Sequence, residues 1–154
     1  MVSETAPGTS APPLAVHDVS EALATALLVQ VREVCRRRGL ALAAVVVDRG
    51  GNQVASTRRD GAQLGAMSLA ADKAYTAVAF GAPTSRWAAV TAPGASDWGL
   101  AGTLGGRAVV FAGGVPLFLD GELVGGLGLS GAASTVDEEC AEEAAAQAGL
   151  RTAP

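Results

Sequence analysis

Val109–Ser134 reads VVFAGGVPLFLDGELVGGLGLSGAAS, and its punctuation decides the fold. Three apolar runs, Val109–Ala112, Val115–Leu119 and Leu123–Ser130, are separated by Gly113-Gly114 and Asp120-Gly121. Asp-Gly between β-rich runs signals a two-residue hairpin, because a type I′ turn needs positive φ at both central residues. Gly125, Gly126, Gly128 and Gly131 then recur in or just beyond the last run. Glycine weakens a strand, so its repetition points to close approach by another backbone or by a ligand. The expectation is an antiparallel sheet whose last strand is bare on part of one face.

The rest of the chain is read outward from that sheet. Its 154 residues suit one domain with a real core. Residues 1–16 are rich in Pro, Ser, Thr and Ala and are expected to form a disordered tail, leaving a domain over 17–150. A helix follows, opened by Asp18 and Glu21 as a capping box, with Val19, Leu23, Ala26, Leu27, Val31 and Val34 as its core face. Arg36-Arg37-Arg38 suits the negative end of its dipole, and Gly39 ends it. Leu40–Val47 is a buried strand, and Asp48–Asn52 turns it into a half-exposed partner, Gln53–Arg58. A second helix over Gln63–Phe80 presents Leu64, Met67, Ala71, Ala74 and Val78 to the core. Ser134 and Asp137 make a capping box for a closing helix that Gly149 ends.

Composition excludes several classes. The net charge of −4 gathers in Asp137, Glu138, Glu139, Glu142 and Glu143, and the remainder is nearly balanced, so nothing argues for nucleic acid or an anionic membrane surface. Only 17% of residues are charged against 49% apolar, which favours burial of surface in a homo-oligomer. Cys35 and Cys140 stand alone without metal-ligand spacing and read as buried thiols of a reducing compartment. No apolar run approaches the ~20 residues of a membrane span. A basic-then-apolar leader is not visible, and the expected location is cytoplasmic.

The chemistry is narrow. His17 is the sole histidine, so a Ser-His-Asp triad or a histidine-based metal site has little to stand on, and no metal site is expected. Lys73 is the sole lysine among ten arginines, on an alanine-rich helix. It reads either as an ion-pair partner of Asp60 or Asp72, or as an amine tuned for base or nucleophile work. Asp60 suits an N-cap or a pocket carboxylate. Thr91–Gly106 is a long Gly/Ala/Ser loop, and Trp98 within it reads as a pocket wall or an ordinary packing residue.

The segments VVVDRGGN (45–52), Arg58-Arg59-Asp60-Gly61-Ala62, Asp72-Lys73-Ala74-Tyr75-Thr76-Ala77, Ala82-Pro83-Thr84-Ser85 and GGVPLFLDGELVGGLGLSG (113–131) together resemble the GlcG/HbpS-like family. That family also supplies the C-terminal domain of PduO-type cobalamin adenosyltransferases. The resemblance implies an α/β (α+β) domain with a profilin-like, five-stranded antiparallel sheet flanked by helices. It also implies a dimer-based homo-oligomer, such as a hexamer or octamer. By motif matching, the pocket is expected at Arg58, Asp60, Lys73 and the Gly113-Gly114/Pro116 turn, with the Ser130-Gly131 end as its far wall; Tyr75 and, from the long loop, Trp98 are expected beside the ligand. Two functions are set against each other here. The leading expectation is a cofactor-independent acid/base enzyme, for example a Pictet–Spengler-type cyclase of specialised metabolism, with Lys73, Asp60 and Arg58 as catalytic groups. The alternative is a haem-binding or haem-degrading protein; a non-catalytic ligand sensor stands third. For haem, Met67, Tyr75 and the two cysteines are the ligand types within the folded part.

Overall fold

The computed structural model describes residues 12–154; the expected tail over 1–16 therefore lies mostly outside the described residues. Helix α1 spans Glu21–Arg38, β1 Ala43–Val47, β2 Gln53–Arg58, α2 Ala66–Phe80, β3 Gly114–Leu119, β4 Glu122–Ser130 and α3 Ser134–Gln147. Short 3₁₀ turns at Thr84–Trp87, Leu100–Gly102 and Leu104–Gly106 punctuate the long connection between α2 and β3. The sheet is antiparallel with strand order β2-β1-β4-β3. It has four strands among the described residues, not five. The run Val109–Ala112 is irregular: Val109 N donates to Thr76 Oγ1 at 3.0 Å rather than to a neighbouring strand, and just beyond the run Gly113 N donates to Glu138 Oε2 at 3.0 Å. The Asp120-Gly121 turn is as expected, with φ of 51° and 84°.

Alternation along the strands places a helical layer on each face. Ala44, Val46, Leu127, Leu129, Val115 and Leu117 face α1 and α3. Ala43, Val45 and Val47 face α2, whose contribution is almost entirely alanine. Small residues on α2 have a counterpart in β4. A Cβ on Gly126 would stand 2.6 Å from the Ala74 carbonyl oxygen, and one on Gly128 would collide with the Ala70 carbonyl. A Cβ on Gly114, beside Gly128 on β3, would collide with the Lys73 carbonyl. The helix backbone therefore lies directly on the sheet, in the space that side chains normally occupy. The strand face expected to be bare is covered by α2, and of the two meanings of the repeated glycine it is the backbone that applies.

Helix ends show where local signals competed. Ser20 caps α1 by accepting from Leu23 N at 3.1 Å, while Asp18 Oδ1 takes Val19 N and Arg49 N, tying the helix entry to the β1–β2 turn. Gly39 supplies the left-handed C-cap at φ 65°. Arg37 and Arg38 reach across to Glu143 and Glu139 of α3, so the arginine run and the C-terminal acids neutralise one another between helices. Helix α2 begins three residues later than expected and its N-cap is Gly65, not Asp60; Leu64 lies outside it and is 89% exposed. Ala133, not Ser134, is the N-cap of α3, because Asp137 is turned inward to other partners.

Candidate functional site

Lys73 lies on the buried face of α2, in line with Ala70, Ala74 and Ala77, and is 1% exposed. Its Nζ donates to Asp137 Oδ2 at 2.8 Å and to the Leu129 carbonyl at 2.9 Å, with the Phe111 ring 5.5 Å away. The other Asp137 oxygen accepts from Ala132 N at 3.0 Å. The amine thus joins α2, the end of β4 and the start of α3. The partner is Asp137, neither Asp60 nor Asp72. Asp72 instead takes Arg107 Nε at 2.9 Å, and Arg107 lies 3.8 Å over the Tyr75 ring. Gly113 packs against the Lys73 amine so closely that a Cβ there would collide with it. The expected hollow beside the amine is filled by protein.

The residues expected to form one pocket are distributed over several places. Arg58 and Asp60 line a cleft of about 230 Å³ with Arg32, Thr57 and Arg59, at the outer edge of β2. Lys73, Gly113 and Gly114 belong to the opposite half of the sheet, over β3 and β4. Strand β1 separates the two groups, so Arg58, Asp60 and Lys73 do not share a cavity. Ser130 is 5% exposed at the end of β4, paired with Ala43. Pro116 is buried in β3 opposite Gly126. Tyr75 packs its ring against Gly51 of the β1–β2 turn. Gly114 N donates to Thr84 Oγ1 at 3.0 Å, which fixes the glycine turn to the segment carrying Trp87.

Trp98 stands apart from all of these. It lines a groove of about 620 Å³ with Phe80, Trp87, Ser96, Asp97 and Leu100, and is itself 63% exposed. The Phe80 and Trp87 rings lie 4.9 Å apart, tilted by 55°. Among the described residues Trp87 Nε1 is the one buried side-chain nitrogen or oxygen without a hydrogen-bond partner.

His17 is placed by a contact that no local pattern announces. Its Nδ1 lies 2.7 Å from Glu122 Oε2, across 105 residues of sequence, and the neighbouring Val19 N donates to the Val124 carbonyl at 2.8 Å. The imidazole is thereby pinned to the β3–β4 hairpin, over a hollow of about 230 Å³ lined also by Leu119, Asp120 and Val124. With the proton on Nδ1 donated to the carboxylate, Nε2 is left free to bind a metal. From the sequence alone no site role is expected of His17. Among the other haem-ligand types, Cys35 and Cys140 are buried and free, as expected. Burial pushes the Cys140 thiol up to about 11, and the Cys35 thiol upward as well, away from the thiolate that ligates iron. Among the described residues no group of three or more His, Cys, Asp or Glu side chains is arranged to hold a metal ion, and no helix is long and apolar enough to cross a membrane.

Against known proteins, residues 19–146 match the family described as haem degrading protein HbpS-like. The chain is 39% identical over 107 residues to the corrinoid adenosyltransferase PduO of Citrobacter freundii, covering 70% of this chain and 32% of that protein. It thus spans about a third of the length of that relative. Among solved structures, a PduOC:haem complex is 33% identical with a TM-score of 0.84, over 89% of this chain and 99% of that one. The ORFY protein of Klebsiella pneumoniae is 27% identical with a TM-score of 0.87, over 89% and 94%. The order of elements, the profilin-like sheet and the matched span agree: this chain belongs to the HbpS-like family.

Proposed function

We propose that this protein binds haem, with His17 as the residue that ligates the iron. The observation carrying this reading is the His17–Glu122 pair. A carboxylate on Nδ1 fixes the ring and its tautomer and makes Nε2 a better donor to a metal, the arrangement common to metal-bound imidazoles. An imidazole with 82% of its side chain exposed, a nitrogen donor of the kind iron takes, stands beside the exposed Leu119 at a hollow that Asp120 and Glu122 also line. The likeness to a PduOC:haem complex supports the same reading. When bound, haem would supply ligand-binding and redox chemistry at its iron, and His17, oriented by Glu122, would hold the iron beside Leu119. The homo-oligomer expected from the low charge is proposed alongside, supported by Leu64, Leu119 and Phe111 standing exposed.

A second reading concerns the aromatic groove. The aromatic lining favours a flat organic ligand, held between Phe80, Trp87 and Trp98. The acid/base enzyme reading gains no such support, because Lys73 and Asp137 pair with each other in the interior and both are closed off from solvent. Titration with haemin, followed at the Soret band, separates the two seats. His17→Ala is expected to weaken binding and alter the band position, while Trp98→Ala leaves both unchanged. A wild-type protein with no saturable Soret shift would remove the haem reading, and loss of binding in Trp98→Ala alone would move the seat to the groove.

A further inference from the structure

We infer a separate binding site for a small oxyanion, the phosphate or carboxylate group of a metabolite, in the cleft between α1 and the free edge of β2. Arg32, Thr57, Arg58, Arg59 and Asp60 line it, enclosing about 230 Å³. Three arginines therefore meet one carboxylate. Arg36, Arg37, Arg38 and Arg107 each hold an acidic partner within 4 Å; of the six arginines that hold none among the described residues, Arg32, Arg58 and Arg59 converge on this cleft, whereas Arg49, Arg86 and Arg151 do not line it.

The cleft is built by backbone that is fixed independently of any ligand. Arg58 ends β2 in register with Ala43 of β1, and Arg59 N then donates to the Leu42 carbonyl at 3.1 Å. Arg59 Nη1 donates to the Arg32 carbonyl at 3.1 Å, tying the strand end to the outer face of α1. One guanidinium is thus already held, with further N–H donors unassigned. The adjoining hollow of about 350 Å³ is lined by Val29, Arg32, Glu33, Arg36 and Arg59. Its one carboxylate, Glu33, is already engaged by Arg36 at 2.7 Å. Like charges gathered around one cleft repel each other. An oxyanion relieves that repulsion and accepts the forked donors that arginine presents and lysine does not. The Thr57 hydroxyl adds a neutral donor of the kind that completes such sites. Because neither His17 nor Trp98 lines this cleft, the inference stands whether or not haem binds.

The test is titration of the intact protein with inorganic phosphate, pyrophosphate and citrate, followed by heteronuclear NMR at low ionic strength. Saturable shifts at Thr57, Arg58 and Arg59 amides are expected. Arg32→Gln and Arg58→Gln should each weaken binding about tenfold or more, as loss of a charge-assisted contact does, and Arg86→Gln, remote from the cleft, should not. Response to phosphate or pyrophosphate alone assigns a phosphate-bearing ligand, and response to citrate alone a carboxylate-bearing one. Absence of saturation with all three, or equal weakening by Arg86→Gln, overturns the site. Unchanged spectra elsewhere in the variants show that the fold is intact, so a lost response is read as lost binding.

Discussion

Lys73 Nζ lies 2.8 Å from Asp137 Oδ2, and both side chains are closed off from solvent. One belongs to the middle of α2 and the other to the first turn of α3, so this contact joins the two helical layers through the end of the sheet. Breaking it from one side strands a buried charge. Lys73→Met is expected to cost about 3–5 kcal/mol, and Lys73→Met with Asp137→Asn to recover much of that loss. Urea denaturation of the four proteins of this cycle measures it. A Lys73→Met protein as stable as wild type would contradict the pairing.

The glycines of β4 are expected to be as intolerant as the ion pair. Gly128→Ala sets a methyl against the Ala70 carbonyl, which is helix backbone and cannot rotate aside. The expected loss is about 3 kcal/mol, the upper range for overpacking. Gly121→Ala has open space around it but a φ of 84°, so only the strain of a left-handed residue applies, about 1 kcal/mol. Thermal melts of the two variants should rank in that order, and the reverse order would contradict the close helix–sheet contact.

Acid should loosen the seam between α1 and α3. Hydrogen bonds from Arg37 and Arg38 hold the Glu143 carboxyl below its ordinary value, against a smaller opposing effect of burial. A folded-state pKa below the unfolded one gives stability that is present above the unfolded value. It is lost as pH falls from about 4.5 through the lowered folded pKa. The groups are partly exposed and screened, so the effect is under about 1 kcal/mol. Glu143→Gln should flatten that part of the stability–pH curve, with little change at neutral pH beyond the lost pair.

Both thiols should be inert in the folded protein. Burial among apolar neighbours raises Cys35 and takes Cys140 to about 11, so at pH 8 neither is appreciably thiolate. A thiol reagent at pH 8 is expected to label neither cysteine natively and both in denaturant. Rapid native labelling would contradict the buried α1–α3 seam.

Much of the fold was legible because its signals are local. Asp120-Gly121 marked the hairpin, Gly39 and Gly149 the helix ends, and the β4 glycines a close approach. The site was less legible because its contacts are not local. His17 meets Glu122, and Lys73 meets Asp137, only after the sheet has ordered its strands. Asp137 carried a plausible local role as a capping residue, and its tertiary partners overrode that role. The same ordering parted Arg58 and Asp60 from Lys73, since motifs adjacent in a sequence pattern came to rest on opposite halves of the sheet.

The most direct measurement uses the fact that the chain holds one histidine and two tryptophans. Haemin is titrated into protein labelled for NMR, and the His17 ring signals are followed together with the Trp87 and Trp98 indole N–H signals. Iron ligated by His17 broadens the imidazole signals away at lower haemin than either indole. Indole signals lost first, with the His17 ring unperturbed at saturation, would contradict the account.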